Sequence, residues 1–81
     1  STAGGANPVG DPLFEALREK RRELARDASV PPYVIFHDSV LRAMAELKPD
    51  SRAALGTISG VGERKLDAYG DAFLQVIREA A

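Results

Sequence analysis

Residues 30–37 read Val30-Pro31-Pro32-Tyr33-Val34-Ile35-Phe36-His37, and how they fold decides the class of the whole chain. Val34, Ile35 and Phe36 are residue types that favour strands. Pro31 and Pro32 each push the preceding residue out of the helical region, so the segment breaks any helix that leads into it. A strand needs partners, and even a two-stranded pair is marginal in water. No second strand candidate occurs in the sequence. The segment is therefore expected to run extended and to place its apolar side chains in a core made by helices.

Both flanks support that reading. Upstream, Asp11-Pro12 marks a helix start: an aspartate suits the N-cap, and proline at the first helical position loses no needed hydrogen bond. A helix over about residues 12–27 carries Leu13, Phe14, Leu17, Leu24 and Ala28 at three-to-four-residue spacing. Arg21 interrupts the stripe; its aliphatic stem fits the core edge with the head reaching out. Downstream, Asp38 or Ser39 caps a second helix, about 39–47, with Val40, Leu41, Met44 and Leu47 inward. Lys48 lies near its end and Pro49 stops it. Asp50-Ser51 caps a short third helix ending near Thr57, with Ala54, Leu55 and Ile58 inward. A turn at Ser59–Gly62 leads to a last helix, about 63–79, whose inner face holds Leu66, Tyr69, Gly70, Phe73 and Ile77. Gly70 in mid-helix costs roughly 1 kcal/mol against alanine. Its place on the inner face predicts close approach of another helix. The fold class is all-α, a small helical bundle.

The chain has 81 residues, which implies one domain. A domain of this size buries only about 60% of the surface its unfolded chain exposes. Residues 1–10, STAGGANPVG, lack periodicity and read as a flexible linker or cloning remnant, leaving 11–81 as the domain. There is no cysteine and one histidine, so disulfides, thiolate sites and multi-histidine metal sites are excluded. No apolar run is long enough to cross a membrane, and no secretory signal pattern is visible. Eleven Lys and Arg face twelve Asp and Glu, giving a net charge of −1. That is not the strongly basic balance of a dedicated nucleic-acid binder. Eight arginines to three lysines and thirteen alanines fit a GC-rich source genome.

Three stretches carry possible function. In Ile58-Ser59-Gly60-Val61-Gly62-Glu63-Arg64-Lys65-Leu66, a short helix, a Gly-Val-Gly turn and a further helix form a helix-hairpin-helix-like element. Backbone N–H groups at such a helix start can meet a phosphate, with Arg64 and Lys65 adding charge. Equally, Gly60 and Gly62 can supply positive φ while Val61 plugs the core; Glu63 at the mouth opposes an anion. In Arg18–Arg26, REKRRELAR, five cations accompany Glu19 and Glu23, and Arg18, Arg22 and Arg26 line one helix face. This is a solvated face or a stripe that tracks phosphates. Glu15, Glu19 and Glu23 offer partners that would neutralise part of it. Tyr33 follows the stiff double proline; it either stacks a nucleobase or packs on the first helix with its hydroxyl capping a backbone group. Tyr69 reads as structural, His37 as a hydrogen-bonding loop residue, and Asp38 and Asp50 as N-caps. No paired carboxylates, activated nucleophile or Walker-type loop is seen, so an enzyme reading has almost no support.

The phrases LFEALREKRRELARD, VPPYVIFHDSVLRAMAELKP and ISGVGERKLDAYGDAFLQVI, in this order, resemble the HRDC domain, the helicase-and-RNase-D C-terminal module. The similarity runs from Leu13 to about Ile77, and the middle phrase is closer to the RecQ-helicase version than to the RNase D version. The resemblance implies a five-helix bundle joined by a flexible linker to a bacterial, ATP-dependent DNA helicase. It implies a cytoplasmic, nucleoid-associated parent in DNA repair or recombination and an accessory role without catalysis or cofactor. That role is weak binding of single-stranded or branched DNA that modulates substrate choice and unwinding. Carried over, the DNA-contacting set is Arg18, Arg22, Arg26 and Tyr33, with Gly60, Gly62, Arg64 and Lys65 as a second face. The alternative is a protein-interaction module docking on the helicase core or another repair protein, and a third is an RNase D-type domain contacting RNA. With no apolar stripe left over, a monomer is expected.

Overall fold

The computed structural model describes residues 11–80; residues 1–10, read above as a linker, lie outside the described residues, as does Ala81. Five helices are present among the described residues: α1 (Pro12–Ala28), α2 (Pro32–Ile35), α3 (Asp38–Leu47), α4 (Arg52–Gly56) and α5 (Glu63–Ala80). There is no strand among the described residues. The long helices α1 and α5 pack together; α2 and α3 lie on α1, and α4 lies on α5.

The termini of α1 follow from side-chain and backbone chemistry. The Asp11 carboxylate accepts from the N–H groups of Leu13 (3.0 Å) and Phe14 (3.4 Å), which satisfies donors a helix start leaves free. At the other end Ser29 adopts the left-handed conformation (φ 58). The Ser29 N–H then donates to Arg26 O and the Val30 N–H to Ala25 O, the paired bonds of a Schellman stop. That reversal turns Val30 back onto the core. The inner face of α1 runs through Leu13, Leu17, Arg21 and Ala25 and ends there. Ala25 is buried, whereas Ala28, expected inside, is exposed.

The expected extended segment is instead one helical turn held between two extended residues. Pro31 (ψ 150) and Phe36 (φ −152, ψ 147) flank α2. Pro32 opens the turn, where its missing N–H costs nothing. The turn splits the apolar run: Ile35 and Phe36 have no exposed surface, while Tyr33 and Val34 face solvent.

Phe36 is the centre of the core. Its ring meets Phe73 edge-on at 5.2 Å and Tyr69 edge-on at 6.3 Å, a preferred arrangement of aromatic quadrupoles. Leu17, Leu41, Met44 and Leu55 complete the fully buried set.

Two caps differ from expectation. His37 occupies the N-cap position of α3 without a side-chain bond, and Asp38 is the first helical residue. Ser51, not Asp50, caps α4, its Oγ accepting from the Ala54 N–H. In α3, Ala45 is buried and Leu47 is 63% exposed. The helix stops at Lys48 in the left-handed region, and the chain then turns inward so that Pro49 is buried instead.

Gly70 is buried on the inner face of α5, as its position predicted. A Cβ there would sit 2.9 Å from Cδ1 of Leu66, one turn earlier on α5 itself, and at an ordinary contact distance of 3.6 Å from Leu55 Cδ2 of α4, so the missing side chain relieves crowding by Leu66 more than by α4.

Candidate nucleic-acid interface

Arg18, Arg22 and Arg26 are exposed along α1, as their spacing requires. A surface recess of about 200 Å³ is lined by Arg18, Arg22 and Pro32 together with Glu15, Glu19 and Arg21. The adjoining hollow, about 540 Å³, shares Arg21 and Pro32 and adds Tyr33, His37, Asp38 and Ser39. Two of the three arginines thus share a continuous surface with the tyrosine, whose side chain is mostly in solvent. Arg26 lies a turn further along α1 and lines neither hollow.

Carboxylates match much of this charge. Arg18 pairs with Glu15 at 3.4 Å, Arg22 with Glu19 at 3.6 Å and Lys20 with Glu23 at 3.3 Å. These pairs lie largely in water, where each is worth about 0–1 kcal/mol. They hold the patch near neutrality, yet a phosphate can displace them at little cost. Arg26 has no ion pair among the described residues.

Arg21 departs from the expectation that its head reaches solvent. Only 11% of its side chain is exposed. Its Nη1 donates to the Phe36 carbonyl at 3.0 Å and pairs with Asp38 Oδ1 at 2.7 Å. The cause is the end of α2. A four-residue helix leaves its last carbonyls without helical partners, and the extended backbone at Phe36 presents one to α1. Arg21 therefore clamps both ends of the Phe36–Asp38 link and fixes the base of the Tyr33 turn. Its Nε is buried and has no hydrogen-bond partner. The hydrogen bond from Arg21 holds the Asp38 carboxyl below the usual carboxylate range; partial burial opposes this, and the charges of Arg21, Arg18 and Arg42 add to it.

Two residues enter the surface that sequence reasoning did not select as part of it. Arg42 of α3 lies 5.8 Å from the centre of the Phe14 ring and Arg18 of α1 lies 5.9 Å from it. Both are within reach of cation–π attraction. Arg42, Phe14, Arg18 and Asp38 share a hollow of about 530 Å³. No local spacing signals this, because α1 and α3 meet only in the folded chain. The second is His37, whose ring stacks against that of Tyr33.

The Gly60–Gly62 turn stands apart. Gly60 has φ 98, and a Cβ on it would lie 2.7 Å from Val40 Cγ2. Val61 is buried, and its N–H donates to Ile58 O at 3.0 Å, closing the turn. Gly62, expected to share the positive φ, does not have one, and a Cβ there would meet nothing within 4 Å. Lys65 sets its ammonium 5.7 Å from the centre of the Phe36 ring; Glu63 and Arg64 are exposed. The hollow at this turn is lined by Gly60 to Lys65 alone, so it shares no lining residue with the surface around Tyr33.

A profile of the HRDC domain matches residues 11–77. The chain belongs to the HRDC domain family. This HRDC domain is 45% identical over 71 residues to the ATP-dependent DNA helicase RecQ of Bacillus subtilis, covering 88% of this chain and 12% of that protein. It is 44% identical over 73 residues to the ATP-dependent DNA helicase UvrD2 of Mycobacterium tuberculosis, covering 90% and 10%. The chain thus spans about a tenth of the length of the curated relatives it matches. Among solved structures it is similar to HRDC domain 3 of D. radiodurans RecQ, with TM-score 0.82, 38% identity, and 84% and 90% of the two chains covered. It is also similar to the HRDC1 domain of the RecQ helicase from Deinococcus radiodurans, with TM-score 0.60, 61% identity, and 85% and 92% covered. HRDC is a non-catalytic accessory domain of RecQ-type helicases. No helix among the described residues is long and apolar enough to cross a membrane.

Proposed function

We propose that this HRDC domain weakly holds single-stranded or branched DNA for a RecQ-like, ATP-dependent DNA helicase, and thereby modulates which substrates the helicase engages and unwinds. The observation that carries the reading is Tyr33, a residue 61% exposed on a braced turn beside Arg18 and Arg22. An exposed aromatic ring has a π-face for any unpaired base, and stacking is tolerant of sequence. Arg18, Arg22 and Arg26 supply the phosphate contacts, with the turn at Gly60, Gly62, Arg64 and Lys65 as a separate, secondary face. Because glutamates already neutralise most of the α1 row, stacking carries a larger share of the binding than charge does. On this reading residues 1–10 act as a linker; tethering gives a weak site a high effective concentration. The domain acts as a monomer within a bacterial, nucleoid-associated enzyme.

A second reading has its own observation. The matched charges around Tyr33, with Val34 exposed beside it, suit docking on the helicase core or another repair protein. A titration separates the two. Labelled oligodeoxythymidylate is added to the chain at low salt and again at higher salt. DNA contact predicts saturable binding, weakened by Tyr33→Ala and Arg22→Ala. Its log–log salt slope should correspond to only about two or three phosphates. Indifference to the oligonucleotide at low salt moves the assignment to the docking module.

A further inference from the structure

The Tyr33 ring has a companion. The rings of Tyr33 and His37 lie 22° from parallel with centroids 6.3 Å apart, within the range of favourable aromatic pairs. The two residues belong to different elements, Tyr33 to α2 and His37 to the N-cap position of α3. Both are exposed. Neither side chain makes a hydrogen bond among the described residues, and the His37 side chain does not cap its helix. The backbone between them is fixed from below by buried Phe36 and by Arg21, which binds the Phe36 carbonyl and Asp38. The pair is therefore a stack on a rigid footing, and the core has no use for it.

We propose that His37 is a positioning residue for base stacking, holding the Tyr33 ring in one orientation ready for an unpaired nucleobase of single-stranded DNA. This rests on the DNA reading above. A tyrosine this exposed samples several rotamers in isolation, and binding a base would cost that freedom. A neighbouring ring that restricts it beforehand lowers the cost of binding. His37 then contributes affinity through Tyr33 and not through a phosphate.

The test uses the 81-residue chain, a labelled oligodeoxythymidylate read by anisotropy, and three variants. Tyr33→Ala should weaken binding about tenfold. His37→Ala should weaken it roughly two- to tenfold, with an unchanged melting temperature and an unchanged salt slope. His37→Phe, which keeps the ring and removes the polar nitrogens, should restore binding to within about twofold of the parent. Parent-like binding by His37→Ala, with Tyr33→Ala still weak, overturns the positioning role and leaves the DNA reading standing. Failure of His37→Phe to rescue, or a salt slope lowered by about one in His37→Ala, shows a polar or charged contact and also overturns it. If Tyr33→Ala binds like the parent, or the parent ignores the oligonucleotide at low salt, the stacking site falls and the inference falls with it.

Discussion

The double-proline turn and the Gly-Val-Gly turn are both short connections at a helix start, and both present themselves in the sequence as places where DNA is met. The structure uses them differently. At Ser59–Gly62 the chain turns its apolar residue inward: Val61 is buried, and Gly60 lies against Val40 with no space for a side chain. At Pro31–His37 the chain buries Ile35 and Phe36 and turns Tyr33 and Val34 outward. The first turn owes its residues to packing. The second has a buried anchor and an exposed ring, an arrangement the core does not require. Packing alone thus accounts for Gly60 and Val61 of the glycine-rich turn, whereas it does not account for an aromatic residue that the fold leaves in solvent.

The sharpest way to break this comparison is to load the packing turn. Gly60→Ala introduces a side chain at φ 98 and within 2.7 Å of Val40, and should destabilise the domain by about 2–4 kcal/mol, read by urea unfolding. Gly62→Ala, two residues on, meets no neighbour and should cost under about 1 kcal/mol. Equal losses would show that the two glycines do the same job.

Next in size is the clamp beneath the exposed ring. Arg21→Met keeps the aliphatic stem but leaves the Phe36 carbonyl unpaired, and should cost about 1–3 kcal/mol. It should also weaken oligonucleotide binding, although Arg21 is mostly buried, because the footing of Tyr33 loosens. Unchanged stability and binding would mean that α2 is held by Phe36 alone. Smaller again in stability, Tyr33→Ala should leave the urea midpoint within about 0.5 kcal/mol of the parent while DNA binding drops. A large loss of stability would place the ring in the core's service and join the two turns in kind.

The smallest effect is with pH. The folded state holds Asp38 ionised below its ordinary range. Its folded pKa is lower than its unfolded one, so the Arg21–Asp38 pair stabilises the fold above the ordinary aspartate value, about 3.9. That contribution is lost as pH falls through the lower folded value. The Asp38 side chain is 61% exposed, so Asp38→Asn should cost under about 1 kcal/mol at pH 7. The difference between the two proteins should shrink below about pH 4. A constant difference across that range would show that the pair contributes through shape and not through charge.

Most of the helical frame was legible because its signals are local. Asp11 and Ser51 cap through bonds to N–H groups two or three residues on, and the apolar spacing in α1, α3 and α5 named most of the core. Errors gathered where a helix ends. Ala28 and Leu47 fit the apolar period yet point out, because periodicity carries no information on what lies opposite the last turn. The one-turn α2 was invisible for a related reason. Four residues give too little period to read, and prolines that bar a helix from continuing are well suited to starting one. In the candidate site, the residue types and the α1 row could be read, and so could the carboxylates available to neutralise it. Arg42 could not, since nothing local ties it to Phe14; His37 lies only four residues from Tyr33, but their stacking depends on the unforeseen α2 turn between them.

The sequence by itself settled the all-helical class, most helix boundaries and the likeness to HRDC domains, since each depends on neighbours a few residues apart along the chain. Only the tertiary structure decided that Arg21 turns inward, that one glycine of the turn is indispensable to packing and the other is not, and that Tyr33 stays in solvent against His37. The Arg21 and Gly60 contacts join segments fifteen or more residues apart. The exposure of Tyr33 depends on which side of the α2 turn faces the core. Such outcomes are set by which surfaces the packed core brings together, and no pattern along the chain encodes that geometry.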